Sequence, residues 1–106
     1  SPDQYIILPI SEKYADYAKN ISNSLNNYDI RGLIDNRDEK IGKKIRDAEV
    51  KKIPFMLIVG EKESEEGLVS VRKHGEGDIG IMKVEDFVKF IDEIVKSEVQ
   101  DINSNN

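Results

Sequence analysis

The sequence contains no cysteine, no tryptophan and only one histidine. The lack of cysteine excludes disulfides, thiolate metal ligands and thiol nucleophiles, and one histidine leaves little for a zinc site or a catalytic triad. No apolar run approaches the length that a bilayer requires, and the first ten residues lack the basic, apolar and small-residue regions of a signal peptide. We therefore expect a cytoplasmic chain with no membrane partner.

The length and the charge restrict the chain further. With 106 residues, of which 38% are hydrophobic and 35% charged, it suits one globular domain with a modest core. We assign that domain to residues 1–100 and expect residues 101–106 to form a disordered or frayed tail. The formal net charge of −5 argues against a protein that coats nucleic acid indiscriminately, because such binding depends on many phosphate contacts. A local site for an anion is still compatible with this charge.

Short apolar runs alternate with helical patterns along the chain, which is typical of an α/β fold with a largely parallel sheet. The run "YIILPI" (5–10) predicts a buried strand, followed by a helix that Ser11 can cap. The weaker run "IRGLID" (30–35) predicts a second strand, and "FMLIVG" (55–60) is the clearest central strand. A closing amphipathic helix is predicted from the apolar residues at positions 84, 87, 88, 91 and 95.

The segment after the central strand has a different pattern. In "GLVSVRK" (67–73), Ser70 and Arg72 fall on one face and Val69 and Val71 on the other, which predicts a half-buried strand. Six residues separate this strand from the previous one, too few for a helical crossover, so we expect the two strands to be antiparallel. A turn and a short extended segment, "IGIM", then lead to the last helix.

The segment "RDEKIGKKIR" (37–46) places five basic residues in ten positions. Ile41, Ile45 and Ala48 recur at helical spacing, so the segment begins a helix whose apolar stripe faces the sheet. The basic residues expected on the outside of this helix are Lys43, Lys44, Arg46 and Lys51. Composition alone favours a solvated face balanced by neighbouring carboxylates. The position favours an anion site instead, because the helix begins at the carboxyl end of a strand, where α/β sheets usually bind their ligands.

Signatures of an enzyme are missing from the sequence. No phosphate-binding loop of the form G-x-x-x-x-G-K-[ST] is present, and "GEGDIG" (75–80) does not stand between a strand and a helix as a dinucleotide motif requires. Acidic pairs such as Glu65-Glu66 are more often solvated surface than acid–base catalysts. His74 lies among glycines, so we expect an exposed loop residue rather than a metal ligand. The chain has the features of a binding module.

Three motifs in succession carry a resemblance to a known family. They are "RDEKIGKKIR" (37–46), "PFMLIVGEKE" (54–63) and "GLVSVR" (67–72), and the similarity extends over nearly the whole chain. The chain resembles the C-terminal anticodon-binding domain of threonyl-tRNA synthetase, a class II aminoacyl-tRNA synthetase. The resemblance implies a three-layer α/β fold in which a mixed, mostly parallel five-stranded sheet is flanked by three helices, with the anticodon loop bound at one edge.

The resemblance also assigns site residues by position. The implied anticodon contacts are Asp38, Lys40, Lys62, Glu63 and Arg72. In the family, Lys and Arg contact the anticodon loop, while Glu and an amide-bearing residue help to read the second and third anticodon bases. Many relatives have Asn at the position of Asp38, and a carboxylate can accept but cannot donate as an amide does. We add Lys43 and Arg46 as candidate phosphate contacts, because both belong to the basic helix.

The resemblance implies that the full-length parent is an ATP-dependent threonine-tRNA ligase, a homodimer with ATP and zinc in its catalytic domain. For this fragment we expect no catalytic residue, no cofactor and no metal, a monomeric state, and threonine tRNA as partner. Two alternatives remain open. One is the corresponding domain of a prolyl, histidyl or glycyl synthetase, and the other is a small-molecule or protein-binding α/β module that does not bind RNA.

Overall fold

A computed structural model describes residues 3–104 of the chain, with side chains from 3 to 99. Five strands, four α-helices and one 3-10 turn follow one another in this part of the chain. In order they are β1 (Tyr5–Pro9), the 3-10 turn (Glu12–Tyr14), α1 (Ala15–Asn26), β2 (Gly32–Ile34), α2 (Ile41–Val50), β3 (Phe55–Val59), α3 (Glu61–Glu66), β4 (Leu68–Lys73), β5 (Gly77–Lys83) and α4 (Val84–Ser104).

The strands form one sheet in the order β2-β1-β3-β4-β5. β1 is parallel to both of its neighbours, whereas β4 is antiparallel to β3 and to β5. Four of the five strands therefore point the same way and β4 opposes them. This arrangement confirms the predicted mixed, mostly parallel sheet and the predicted antiparallel pair.

The helix count differs from the prediction of three. A fourth α-helix, α3, occupies the six-residue connection between β3 and β4. This connection is too short for a crossover helix, as the sequence predicted, but it is long enough for a short helix of less than two turns. The carboxylate of Glu63 accepts a hydrogen bond from the backbone N–H of Gly60 at 2.8 Å, which caps the start of this helix. Gly67 ends it in the left-handed conformation, at φ 72°.

Helices cover the two faces of the sheet unequally. On one face, α1 and α4 bury the main core, in which Ile21 and Phe87 pack against Tyr5, Leu57 and Val71. On the other face, α2 packs against β1 and β3 in a smaller core with the side chains of Ile6, Leu8, Met56, Ile53 and Ala48. Among the described residues, this second core includes no side chain from β4 or β5. We call the α2-side surface of β4 and β5 the open face; it carries Ser70, Arg72, Asp78 and Ile81.

Two further details bear on the predicted strand and tail. Gly32 is in register with Tyr5, and a Cβ at Gly32 would lie 2.4 Å from the tyrosine ring, so glycine is required where the ring crosses β2. The backbone of α4 is helical through residue 104, so it includes the first four residues of the expected tail; residues 105 and 106 lie outside the described part of the chain. No helix within residues 3–104 is long and apolar enough to cross a membrane.

Candidate nucleic-acid interface

The predicted basic helix is α2, and it begins beyond the carboxyl end of β2 as expected. One prediction about it is wrong: Lys44 does not lie on the outside but is only 2% exposed. Its ammonium group donates to the carbonyl oxygens of Pro9, at 2.9 Å, and Asp35, at 3.0 Å, where β1 and β2 end. The signal was present in the sequence, because Lys44 stands three residues after Ile41 and four before Ala48 and so belongs to the buried stripe.

On the β2 side of α2, two cations are held in a network of ion pairs. Arg37 donates two hydrogen bonds to the buried carboxylate of Asp35, at 2.9 and 2.8 Å, and a third to Asp47 at 2.9 Å. Lys43 also donates to Asp47, at 3.2 Å. The Arg37 hydrogen bonds lower the pKa of both carboxyl groups below the ordinary value, and Lys43 adds to this effect at Asp47. Arg37 and Lys43 therefore have carboxylate partners within the protein.

The opposite side of α2 faces β4 and β5. Gly42, Arg46 and Glu49 are spaced four and three residues apart and share this side. Glu49 shows that this side of the helix is turned toward β4, because its Oε2 lies 3.6 Å from Nε2 of His74, the residue directly after β4. Arg46 is exposed, and no carboxylate of the described side chains lies within ion-pair distance of it. Of the two candidate phosphate contacts, Arg46 thus borders the open face, whereas Lys43 lies on the other side of the helix.

The loop between β2 and α2 carries Asp38 and Lys40, both exposed. The carbonyl oxygen of Lys40 accepts the backbone N–H groups of Lys43 and Lys44, so Lys40 marks the start of the helix. A pocket of about 300 Å³ opens beside this loop at the carboxyl ends of β1 and β2, and its lining includes Asp38 and the buried Lys44. Asp38 and Lys40 therefore both lie in the loop that follows the carboxyl end of β2.

Lys62 and Glu63 lie on α3, which follows the carboxyl end of β3. Lys62 is exposed and, like Arg46, has no carboxylate within ion-pair distance among the side chains that the structure describes. The carboxylate of Glu63 accepts from Gly60 through Oε1 and from the hydroxyl group of Ser70 at 3.3 Å through Oε2. Since each carboxylate oxygen has two lone pairs, Glu63 is oriented by these bonds and can still accept others. Sequence reasoning placed Ser70 and Arg72 on one face but did not predict the Ser70–Glu63 contact.

Arg72 is two residues further along β4, on the same open face as Ser70 and about 7 Å away. It stands opposite Met56 in β3, so it lies on the sheet surface rather than at the edge that carries Asp38. Its guanidinium extends beside Gly77. The Nε atom of Arg72 is buried and has no hydrogen-bond partner among the described residues. A buried donor without a partner costs about 1–3 kcal/mol.

The predicted contacts therefore form two neighbouring groups rather than one edge. Asp38 and Lys40 belong to the loop before α2, while Glu63 and Arg72 border the open face on the other side of the same helix. Cations without a carboxylate partner accompany both groups. Within the described side chains, no cluster of three or more histidine, aspartate or glutamate residues could hold a metal ion. The arrangement can offer cations to phosphates and both donors and acceptors to base edges.

Comparison with known proteins identifies the family of this chain. The family described as "Anticodon binding domain" matches residues 4–94. Over 97 residues the chain is 63% identical to a threonine-tRNA ligase of Cytophaga hutchinsonii, covering 91% of this chain and 15% of the ligase. The chain thus spans only about 15% of the length of the curated relatives that it matches.

Solved structures show the same fold. The RNA binding domain of threonyl-tRNA synthetase from Cryptosporidium parvum Iowa II superposes with a TM-score of 0.77 at 29% identity, over 83% of this chain and 22% of that one. Prolyl-tRNA synthetase from the same organism reaches a TM-score of 0.81 over 91% of this chain and 21% of that one, but at 22% identity it supports the fold alone. The chain belongs to the anticodon-binding domain family of class II aminoacyl-tRNA synthetases, in the form found in threonine-tRNA ligases.

Proposed function

We propose that this domain binds the anticodon loop of threonine tRNA and discriminates its anticodon bases. The observation that carries the proposal is the open face, where Nε of Arg72, which has no hydrogen-bond partner among the described residues, lies two residues along β4 from the serine that holds Glu63. A donor and an oriented carboxylate on one surface match the mixed hydrogen-bonding edge of a nucleobase. The high identity to threonine-tRNA ligases favours the threonine anticodon over those of proline, histidine or glycine.

The residues divide by chemistry within this proposal. Glu63 and Asp38 accept hydrogen bonds from bases, and Arg72 donates to a base or to the loop backbone. Lys40 and Lys62 contact the loop as cations. Arg46 and Lys43 are proposed as phosphate contacts, of which Arg46 is the stronger candidate because Lys43 already pairs with Asp47. Asp38 can serve only as an acceptor, since its carboxylate has no N–H group.

The relatives support a proposal for the role of the parent protein. We propose that the parent is a cytoplasmic threonine-tRNA ligase that activates threonine with ATP, and that ATP and zinc bind in a catalytic domain separate from this one. Dimerisation would also belong to that catalytic domain, so this domain alone is monomeric. The contribution of the residues described here is affinity for the tRNA and selection of its anticodon.

An NMR titration tests the proposal directly. The ¹⁵N-labelled domain is titrated at low salt with a threonine anticodon stem-loop and, separately, with the same hairpin carrying a scrambled anticodon. We expect larger shifts with the threonine anticodon, concentrated at Asp38, Lys40, Glu63 and Arg72. Hairpins with the proline, histidine and glycine anticodons separate the related synthetases. Indifference of these residues to every RNA would contradict the proposal and favour a protein-binding or small-molecule module.

A further inference from the structure

An exposed aliphatic side chain lies among the polar groups of the open face. Ile81 is 53% exposed in the middle of β5, with Ser70 directly opposite it on β4. Residues directly opposite each other in an antiparallel pair share one face, so Ile81 projects on the side of Ser70 and Arg72. The next residue, Met82, faces the other way and packs against the main core. The exposure of Ile81 is therefore a consequence of the uncovered sheet.

Ile81 lies beside residues that hold or belong to the proposed base-recognition groups. Ser70, opposite Ile81, donates to the carboxylate of Glu63 at 3.3 Å. Arg72, with its unpaired Nε, is the next residue of β4 on the same face. An apolar surface thus lies next to the serine that orients the Glu63 carboxylate and on the same face as the Arg72 guanidinium. On the bordering helices α2 and α3, the basic residues Arg46 and Lys62 have no ion-pair partner among the described side chains.

This combination restricts what can cover the face. A neutral peptide could cover the isoleucine but would leave Arg46 and Lys62, which have no ion-pair partner among the described side chains, without a counter-charge. A single-stranded RNA loop presents all three complements together: the flat apolar face of an unstacked base, the polar base edge and the phosphate backbone. Single-strand recognition commonly uses a sheet surface in this way, with side chains that pack on the base plane.

We propose that Ile81 packs against the plane of an unstacked base of the anticodon loop while the edge of that base reaches Glu63 or Arg72. This inference rests on the proposed function and adds a contact that depends on base stacking rather than on charge. Ile81 supplies apolar area, so it contributes affinity without contributing to the salt dependence of binding. The contact favours a splayed loop over a stacked one.

Fluorescence anisotropy with a labelled threonine anticodon stem-loop tests the contact. Ile81→Thr keeps the β-branched side chain that suits a strand but removes much of its apolar surface. We expect it to weaken binding about 3- to 10-fold, below the loss typical of an aromatic stacking residue, and to leave the slope of log Kd against log salt unchanged. Ile81→Tyr should bind more tightly than wild type, because a ring offers a better stacking surface.

Val50→Ala is the matched control, since Val50 is an aliphatic residue that is 80% exposed at the end of α2. Circular dichroism and thermal melting confirm that each variant is folded. If wild type binds the RNA and both Ile81 variants bind as the Val50→Ala variant does, Ile81 faces another partner and the inference is overturned. If wild type itself does not bind, the proposed function fails first, so the two failures are distinguishable.

Discussion

The two sides of α2 carry similar basic side chains, but those side chains meet different partners. On the side that faces β2, Arg37 pairs with both Asp35 and Asp47, and Lys43 pairs with Asp47. On the side that faces β4, Arg46 has no carboxylate within ion-pair distance among the described side chains. A third environment lies beneath the helix, where the ammonium group of Lys44 binds two backbone carbonyls.

Only some of the basic side chains in this region can contact a ligand, because the others already have partners within the protein. Residues 37–46 contain five basic side chains, of which Arg37, Lys43 and Lys44 already have partners in the protein. Lys40 and Arg46 remain exposed. The paired cations fix the loop and the helix, and the two others are available to phosphates. The predictions below test this division.

The largest effect is expected from the buried cation. Lys44→Met keeps the length of the side chain but removes the donor to the carbonyl groups of Pro9 and Asp35, so we expect the free energy of unfolding to fall by about 2 kcal/mol. Urea denaturation followed by circular dichroism measures it. Lys51→Met is the control, because Lys51 is exposed directly after the last residue of α2, and it should change the free energy of unfolding little. Equal stabilities of the two variants would show that the Lys44 contacts do not hold α2 in place.

A substitution at Arg72 tests whether the open face binds RNA. Arg72→Met removes the guanidinium group, whose Nε has no partner among the described residues, and we expect binding of the threonine anticodon stem-loop to weaken about 10-fold or more and discrimination at one anticodon base to relax. Lys73→Met is a matched control on the adjacent residue, whose side chain pairs with Glu76. Anisotropy titrations with cognate and base-substituted hairpins measure both quantities. A loss that is the same for every hairpin would assign Arg72 to the RNA backbone instead.

The pair Arg46 and Lys43 sharpens the comparison between the two sides of α2. Arg46→Gln should weaken RNA binding about 3-fold and reduce the magnitude of the salt slope by about 0.7, as expected for one lost phosphate contact to a single strand. Lys43→Gln should have a smaller effect, since Lys43 pairs with Asp47 on the far side. Titrations at several salt concentrations provide the slopes. Equal losses from both substitutions would mean that the RNA also reaches the β2 side.

The smallest effect concerns the pH dependence of the ion-pair network. The pKa values of Asp35 and Asp47 are lowered in the folded state, so their pairing stabilises the protein above the ordinary carboxyl pKa of about 4 and is lost as the pH falls through the folded-state values. Arg37→Gln should therefore be less stable than wild type at pH 7, and the difference should shrink below about pH 4. The effect is limited because the backbone N–H of residue 37 still donates to Asp35. Urea unfolding of both proteins at pH 7 and below about pH 4 measures the difference in stability. A difference that does not change with pH would contradict the prediction.

Most of the fold could be predicted because its signals are local. The apolar run of β3, the alternation of β4 and the apolar stripes of α1, α2 and α4 each follow from the period of their element. The short helix α3 was missed because six charged and polar residues between two strands show no apolar stripe. Its capping contacts are visible only in three dimensions.

The candidate site could be predicted less completely. Family motifs assigned Asp38, Lys40, Lys62, Glu63 and Arg72, but a list of positions does not state that Arg72 lies on the sheet surface while Asp38 lies at its edge. Nor does it state which cations are already paired. Lys44 was misplaced because lysine is rarely buried, although its spacing put it in the apolar stripe.

The amino-acid sequence by itself determined the order of the strands and of helices α1, α2 and α4, the antiparallel pair, and membership in the anticodon-binding domain family, since each depends on local periodicity, loop length or motif order. Tertiary structure alone decided which residues meet. Tyr5 requires glycine at position 32 because its ring crosses the neighbouring strand, and Ile81 is exposed because α2 covers only the β1 and β3 part of its face. Contacts between residues far apart in the chain depend on how elements pack, and no local pattern encodes that packing.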